Sequence, residues 1–203
     1  LPKRFRPVSS IRKQGLYNTF FAYLGVAIGF VNILILQPRF LSQEELGLTR
    51  MLFSVSIIFG TIYPLGLNGV VIRFFPRFRD RDSGNHGFIN LIFLLVVSSF
   101  ILLGSLVFLF RDVIFEGYNR SPLFTEYFLY IFPMTFFAGL VSMMNAYAFI
   151  LFKSTVPAFL DEVFNRVYQV AVLSAYFLHW IDFSAFVLLF SLMYAIQFFL
   201  LFL

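Results

Sequence analysis

Six long apolar stretches of the chain are separated by short segments that hold nearly every Lys, Arg, Asp and Glu. A helix needs about 20 mostly apolar residues to cross roughly 30 Å of hydrocarbon, and the stretches reach that length. The spans predicted are Leu16–Gln37, Met51–Arg73, Phe88–Phe110, Glu126–Phe152, Pro157–Trp180 and Phe183–Leu203. Neither Phe88–Phe110 nor Tyr127–Phe152 holds a charge. The fifth span is constrained differently: a helix starting only after Arg166 would be too short, so Arg166 lies at least about one turn inside the membrane boundary. Punctuation fits these limits. Pro38 follows the first run, Ser42-Gln43-Glu44-Glu45 reads as a capped helix start, and turn-rich segments run over Asp80–Asn85 and Gly117–Pro122. The expected fold is all-α: a polytopic membrane protein with a basic N-terminal segment over residues 1–14 and a six-transmembrane-helix bundle over 15–203. The last stretch reaches Leu203 without a polar flank and the chain opens on Leu1, so a fragment of a longer protein is expected.

Composition narrows the class further. Of 203 residues, 60% are hydrophobic and 12% charged, 32 are Phe, and the mean hydropathy is +0.88; a soluble domain would have more apolar surface than it could bury. With no Cys, disulfides and thiolate metal sites are excluded. The net charge of +5 is not read as a nucleic-acid footprint, because the basic residues border apolar spans where anionic headgroups attract them; the bilayer is the partner they imply. Counting Lys and Arg in alternate loops sets Lys3, Arg4, Arg6, Arg12, Lys13, Arg73, Arg77, Arg79, Arg81, Lys153 and the nearby Arg166 against Arg39, Arg50, Arg111 and Arg120. The N-terminus is therefore expected in the cytoplasm. No constellation points to an enzyme. His86 and His179 fall on opposite sides, and neither a metal-ligand cluster nor a phosphate-cradling loop is present.

Polar residues inside the spans mark where helices meet protein or a water-filled cavity. In the first span Asn18, Ala22, Gly25, Gly29 and Asn32 share a face, serving either close helix packing or a cavity wall. In the second, Ser54, Thr61 and Asn68 recur at sevens beside Pro64, Gly66 and Gly69, and a bend toward the interior is expected. Pro133 in the fourth span, with Thr135, Gly139, Ser142, Asn145 and Ala146 after it, predicts a static kink or a hinge. The fifth span carries Glu162, Asn165, Arg166 and Gln169 on one side. Either Arg166 snorkels to headgroups while Asp161 and Glu162 sit in the interface, or its guanidinium enters a cavity, where its fork of donors suits phosphate oxygens.

Gly15-Leu-Tyr-Asn18, Pro38-Arg-Phe-Leu-Ser-Gln-Glu-Glu-Leu-Gly-Leu48, Gly66-Leu-Asn68 and Arg73-Phe-Phe-Pro-Arg-Phe78 together resemble the N-terminal part of the polysaccharide flippases. These are lipid-linked oligosaccharide exporters of the multidrug/oligosaccharidyl-lipid/polysaccharide superfamily. The resemblance covers Gly15 to Phe78 as a block and is hydropathic beyond it. It implies the first of two six-helix bundles of a MATE-like transporter, with the second bundle of the same polypeptide as partner. The implied substrate is an undecaprenyl-pyrophosphate-linked sugar repeat unit for cell-surface polysaccharide such as lipopolysaccharide, moved across the bacterial inner membrane by alternating access. The usual drive is an ion gradient, H+ or Na+. By position Arg12, Asn18, Arg50, Arg73 and Arg166 are its candidate substrate contacts, and the polar stripes add Asn32, Asn68, Asn145, Glu162, Asn165 and Gln169. Two other readings compete. A MATE-type drug/cation antiporter would call for a buried acid in the first helix, and Leu16–Gln37 has none; a non-transport membrane subunit is the other.

Overall fold

The computed structural model describes residues 8–78, 87–117 and 122–201. Lys3, Arg4, Arg6, the loop with Arg79, Arg81 and His86, and the turn around Arg120 lie outside them. Every element among the described residues is helical. The first rod begins earlier than expected and takes in part of the basic segment: α1 (Val8–Val31) passes through a π-turn at Asn32–Leu36 into α2 (Gln37–Phe40). α3 (Gln43–Ile62) starts at the predicted cap. The Ser42 hydroxyl accepts from the Glu45 N–H at 3.3 Å, and the Ser42 N–H donates to the Glu45 carboxylate at 2.8 Å. The bend expected near Pro64 is a full break. Leu65 and Gly66 take left-handed φ of 49° and 74°, which resets the chain direction before α4 (Leu67–Phe78).

α5 (Phe88–Leu109) leads into α6 (Arg111–Gly117), and α7 (Pro122–Tyr127) runs through a 3-10 turn at Phe128–Tyr130 into α8 (Ile131–Ile150). Pro133 falls in the first turn of α8, where a missing N–H breaks no ladder. The predicted irregularity therefore sits in the 3-10 turn ahead of it and not in mid-helix. α9 (Thr155–Phe159), a π-turn at Leu160–Phe164 and α10 (Asn165–Phe177) form the next rod. α11 (Phe183–Ser191), capped by the Asp182 carboxylate accepting from the Ala185 N–H at 2.9 Å, and α12 (Met193–Leu200) form the last.

Among the described residues, five helical stretches are long and apolar enough to cross a membrane: Arg12–Phe40, Gln43–Ile62, Phe88–Leu109, Pro122–Ile150 and Phe183–Leu200. The rod Thr155–Phe177 is not among them, because it carries Asp161, Glu162 and Arg166. Contacts at the rod ends set their directions. Gln14 Nε2 donates to the Phe152 carbonyl at 2.9 Å, so the start of the first rod lies beside the start of the fifth. At the opposite end Phe40 stacks on Phe177 with ring centroids 4.0 Å apart, and the Tyr176 hydroxyl donates to Glu45 at 2.7 Å. The first and fifth rods thus run parallel and side by side. The outward surface carries Phe20, Phe30, Leu94, Leu102 and Leu109, all exposed, as suits a hydrocarbon surrounding.

α8 is the hub, packed by α3, α4 and α12. Met134, Leu140, Val141 and Met143 on it are buried. Gly60 meets Ala138, and Gly139 lies directly against the ring of Tyr63, whose hydroxyl donates to the Phe136 carbonyl at 2.5 Å. A methyl group at Gly139 would overlap that ring, and the ring cannot withdraw without losing its carbonyl. Gly139→Ala should therefore destabilise the bundle by about 1–3 kcal/mol, the usual cost of overpacking a tight core, read as a lower unfolding midpoint in detergent. Gly47→Ala, with open space around it, should leave the midpoint unchanged or raise it.

Candidate functional site

The predicted small and polar face of α1 is the face that meets the fifth rod. Asn18 Nδ2 donates to Ser154 Oγ at 3.2 Å, and Asn32 Nδ2 to Gln169 Oε1 at 3.2 Å. Between them Gly25 and Gly29 lie against the guanidinium of Arg166. Only glycine fits at Gly25, because a side-chain carbon there would overlap the guanidinium and the backbone carbonyl of Glu162. Arg166 Nη1 donates to that carbonyl at 2.9 Å and to the Glu162 carboxylate at 2.8 Å. This pair sits deep. At 1.5 Å per residue, Gly25 is about 20 Å along the rod from Arg12, and Arg166 about 18 Å beyond Ser154. The Arg166 side chain turns back along its own helix toward Glu162 and stays at mid-rod.

A second cluster adjoins it on the other side of the fifth rod. The Asp161 carboxylate accepts from Gln197 Nε2 at 2.5 Å and from Asn145 Nδ2 at 2.7 Å, while Asn165 Nδ2 donates to Gln197 Oε1 at 2.8 Å. Three rods contribute: α8, the Thr155–Phe177 rod and α12. The π-turn at Leu160–Phe164 makes both clusters possible. It carries Asp161 and Glu162 in succession, one toward α8 and α12 and the other toward Arg166. Such one-residue bulges recur at functional sites because they re-aim side chains that a regular helix would hold.

Of the sequence candidates, Asn18, Asn32, Glu162, Arg166 and Gln169 meet at the α1 face, and Asn145 and Asn165 meet at the second cluster. Asn68 lies apart, its Nδ2 donating to Ser142 Oγ at 2.7 Å. Arg12, Arg50 and Arg73 are exposed and belong to neither cluster. Asp161 entered only the reading that sets it and Glu162 in the membrane interface, and Gln197 was not singled out. The signal for both was legible: Asp161, Asn165 and Gln169 recur at fours, and Gln197 is the lone amide in an otherwise uncharged apolar run. Five asparagines share one habit. Asn18, Asn32, Asn68, Asn145 and Asn165 each donate through Nδ2, and each leaves a buried Oδ1 with no partner. A cavity of about 260 Å³ between α3, α5 and α8 is walled by apolar side chains apart from the Tyr63 and Thr135 hydroxyls, and has no part in this chemistry. Comparison with protein-family models, curated proteins and solved structures yields no match.

The two glycines under Arg166 should respond differently to one methyl group. At Gly25 the obstacle includes backbone, so Gly25→Ala should push the rods apart and lower the unfolding midpoint by the equivalent of about 1–3 kcal/mol. At Gly29 the nearest atoms are Arg166 Nε and Cδ at 3.2 and 3.3 Å, in a flexible chain that can shift. Gly29→Ala should be milder, and denaturant titration of both variants in the same detergent measures the difference.

Proposed function

We propose that this chain is the N-terminal six-helix bundle of a flippase for polyprenyl-pyrophosphate-linked oligosaccharides, lodged in a bacterial cytoplasmic membrane with its N-terminus inside. The observation that carries the reading is the exposure of the Glu162–Arg166 pair. Its side chains keep 36% and 29% of their surface open at mid-rod depth. Charges at that depth do not face lipid; they face protein or a water-filled cavity. The side of the bundle formed by α1 and the fifth rod is therefore read as the wall of a polar cavity completed by a second bundle of the same polypeptide.

The chemistry of that wall suits the cargo. A pyrophosphate-sugar head cannot pass through hydrocarbon unless polar groups replace its water, while the polyprenyl tail can stay in lipid. Arg166 offers paired donors to phosphate oxygens, and Glu162 holds the guanidinium until a phosphate competes for it. Rocking of the two bundles about this wall would carry the head across. A drug/cation antiporter remains the weaker reading, since the first rod offers no acid.

Replacing Arg166 alone would strand Glu162, so the neutral pair Glu162→Gln/Arg166→Gln is the cleaner variant. In the full-length transporter it should insert normally and abolish export of surface polysaccharide, scored by staining cells that depend on that copy. Normal surface polysaccharide at normal membrane levels would overturn the assignment.

A further inference from the structure

The cavity between α3, α5 and α8 stands apart from the polar seam: among the described residues its lining excludes α1 and the fifth rod. The wall is apolar and strongly aromatic, with Phe59, Phe100, Phe128 and Phe132 among its rings. Two hydroxyls interrupt it. That of Tyr63 is committed, donating to the Phe136 carbonyl. That of Thr135 is not. Thr19, Thr49 and Thr61 each donate to the carbonyl four residues back, as threonines inside helices do. Thr135 is only 4% exposed, and its Oγ1 is buried with no hydrogen-bond partner. A buried hydroxyl left in this way is costly. Water is a poor remedy, because a buried water needs about two to four polar partners and the described wall around Thr135 is hydrocarbon apart from the committed Tyr63.

We propose that this cavity binds one neutral, bilayer-dissolved ring ketone or quinone whose carbonyl accepts from the Thr135 hydroxyl. Each property of the ligand follows from the wall. With no charged side chain in the described lining, a charged ligand would lose its water without compensation. Aromatic walls favour a ring: Phe128 with Phe132 and Tyr63 with Phe100 meet edge to face at centroid distances of 5.7 and 5.3 Å, and a guest ring extends the same geometry. Volume sets the size. An apolar cavity of about 150 Å³ takes one benzene ring, so the 260 Å³ here has room for a fused pair. The lone free hydroxyl sets the polar atom, since a carbonyl pairs its proton and a pure hydrocarbon does not.

The bilayer supplies the route. A recess on the outer surface, lined by the exposed Ile101, Phe108 and Leu129, shares Phe100, Gly104 and Phe132 with the cavity. Gly104 presents no side chain in that shared wall, and a carbon placed on it would meet the rings of Phe132 and Phe100 at 3.7 and 3.9 Å. Entry past Gly104 takes the ligand from hydrocarbon to cavity without crossing water, and an alkyl substituent on the ring can trail back into lipid. Tyr63 lines the cavity with the same ring that lies against Gly139, so a bound ligand would brace α3 and α5 against the hub. The inference does not rest on the sugar-lipid reading, whose residues lie elsewhere.

The probes are menadione, a two-ring quinone, and 2-methylnaphthalene, the same rings without the carbonyls. The chain has no Cys with which the quinone could react. Each probe is titrated against the thermal unfolding midpoint of the full chain at one fixed detergent concentration. The expected result is a saturable rise with menadione, with 2-methylnaphthalene needing about three- to tenfold more for half-saturation, the difference one hydrogen bond makes. Thr135→Val keeps the branched shape without the hydroxyl and should erase that difference. Gly104→Leu plugs the shared wall and should abolish both responses; if it fails to fold, the Thr135→Val comparison decides the matter alone. Absence of a saturable rise with menadione, equal half-saturation for the two probes in the wild type, or a preference for menadione that survives in Thr135→Val would overturn the site. A larger rise with n-decane than with menadione would overturn it too and assign the cavity to a lipid chain. A menadione response unchanged in Gly104→Leu would overturn the lateral route.

Discussion

Hydrocarbon offers no partner to a polar group, and that single constraint organises this bundle. In water, Asn18, Asn32, Asn145, Asn165, Asp161, Glu162, Arg166, Gln169 and Gln197 could each face solvent at little cost. Within helices surrounded by lipid each must be satisfied by another rod or by a cavity. The result is that a seam of amides and charges fixes which helices touch. Individually such interhelical bonds contribute on the order of 1 kcal/mol, yet the alternative of leaving them open in lipid costs more. The seam therefore selects the neighbours of the fifth rod even where apolar packing alone would accept several arrangements.

Packing then fixes distance. α8 can sit at the hub because Gly139 admits the Tyr63 ring, and the first rod can lie against the fifth because Gly25 and Gly29 leave room for a guanidinium. Small residues and polar residues thus do complementary tasks: one lets backbones approach and the other determines which faces do so. The aromatic rings, from Phe40 on Phe177 at one end to Phe75 against Tyr147 in the hub, fill the volume that remains.

Much of this was legible from residue order alone, and the reasons are specific. Long uncharged runs such as Phe88–Leu109 have one stable solution in a bilayer, and the Ser42–Glu45 cap is a local motif whose geometry needs no tertiary help. The α1 face could be read from threes and fours because a helix repeats them on one side. Legibility failed where the backbone departed from the regular helix. The break at Leu65–Gly66 looked like a bend, since a left-handed leucine has no sequence signature. The π-turn at Leu160–Phe164 has no sequence signature of its own, so the partners of Asp161 on α8 and α12 could not be named even though its spacing of fours with Asn165 and Gln169 was readable. Gln197 stood out as a lone amide in an apolar run, but its partners come from segments more than thirty positions earlier in the chain, which residue order does not bring together.

The composition of the fifth rod also bears on how the protein is made. Each ionised side chain at the centre of a span raises the cost of entering the bilayer by about 2.5–3.5 kcal/mol on an insertion scale, and the fifth rod carries Asp161, Glu162 and, at its middle, Arg166. Emerging alone from the ribosome it would be a poor substrate for the insertion machinery. The partners that relieve it lie on both sides in time: Gly25, Gly29, Asn32 and Asn145 have been synthesised already, whereas Gln197 is still to come. Gln197, which donates to Asp161, is thus the last of these groups to be made. The charges of the fifth rod are in that sense relieved in two stages, by segments already made and by one still to come.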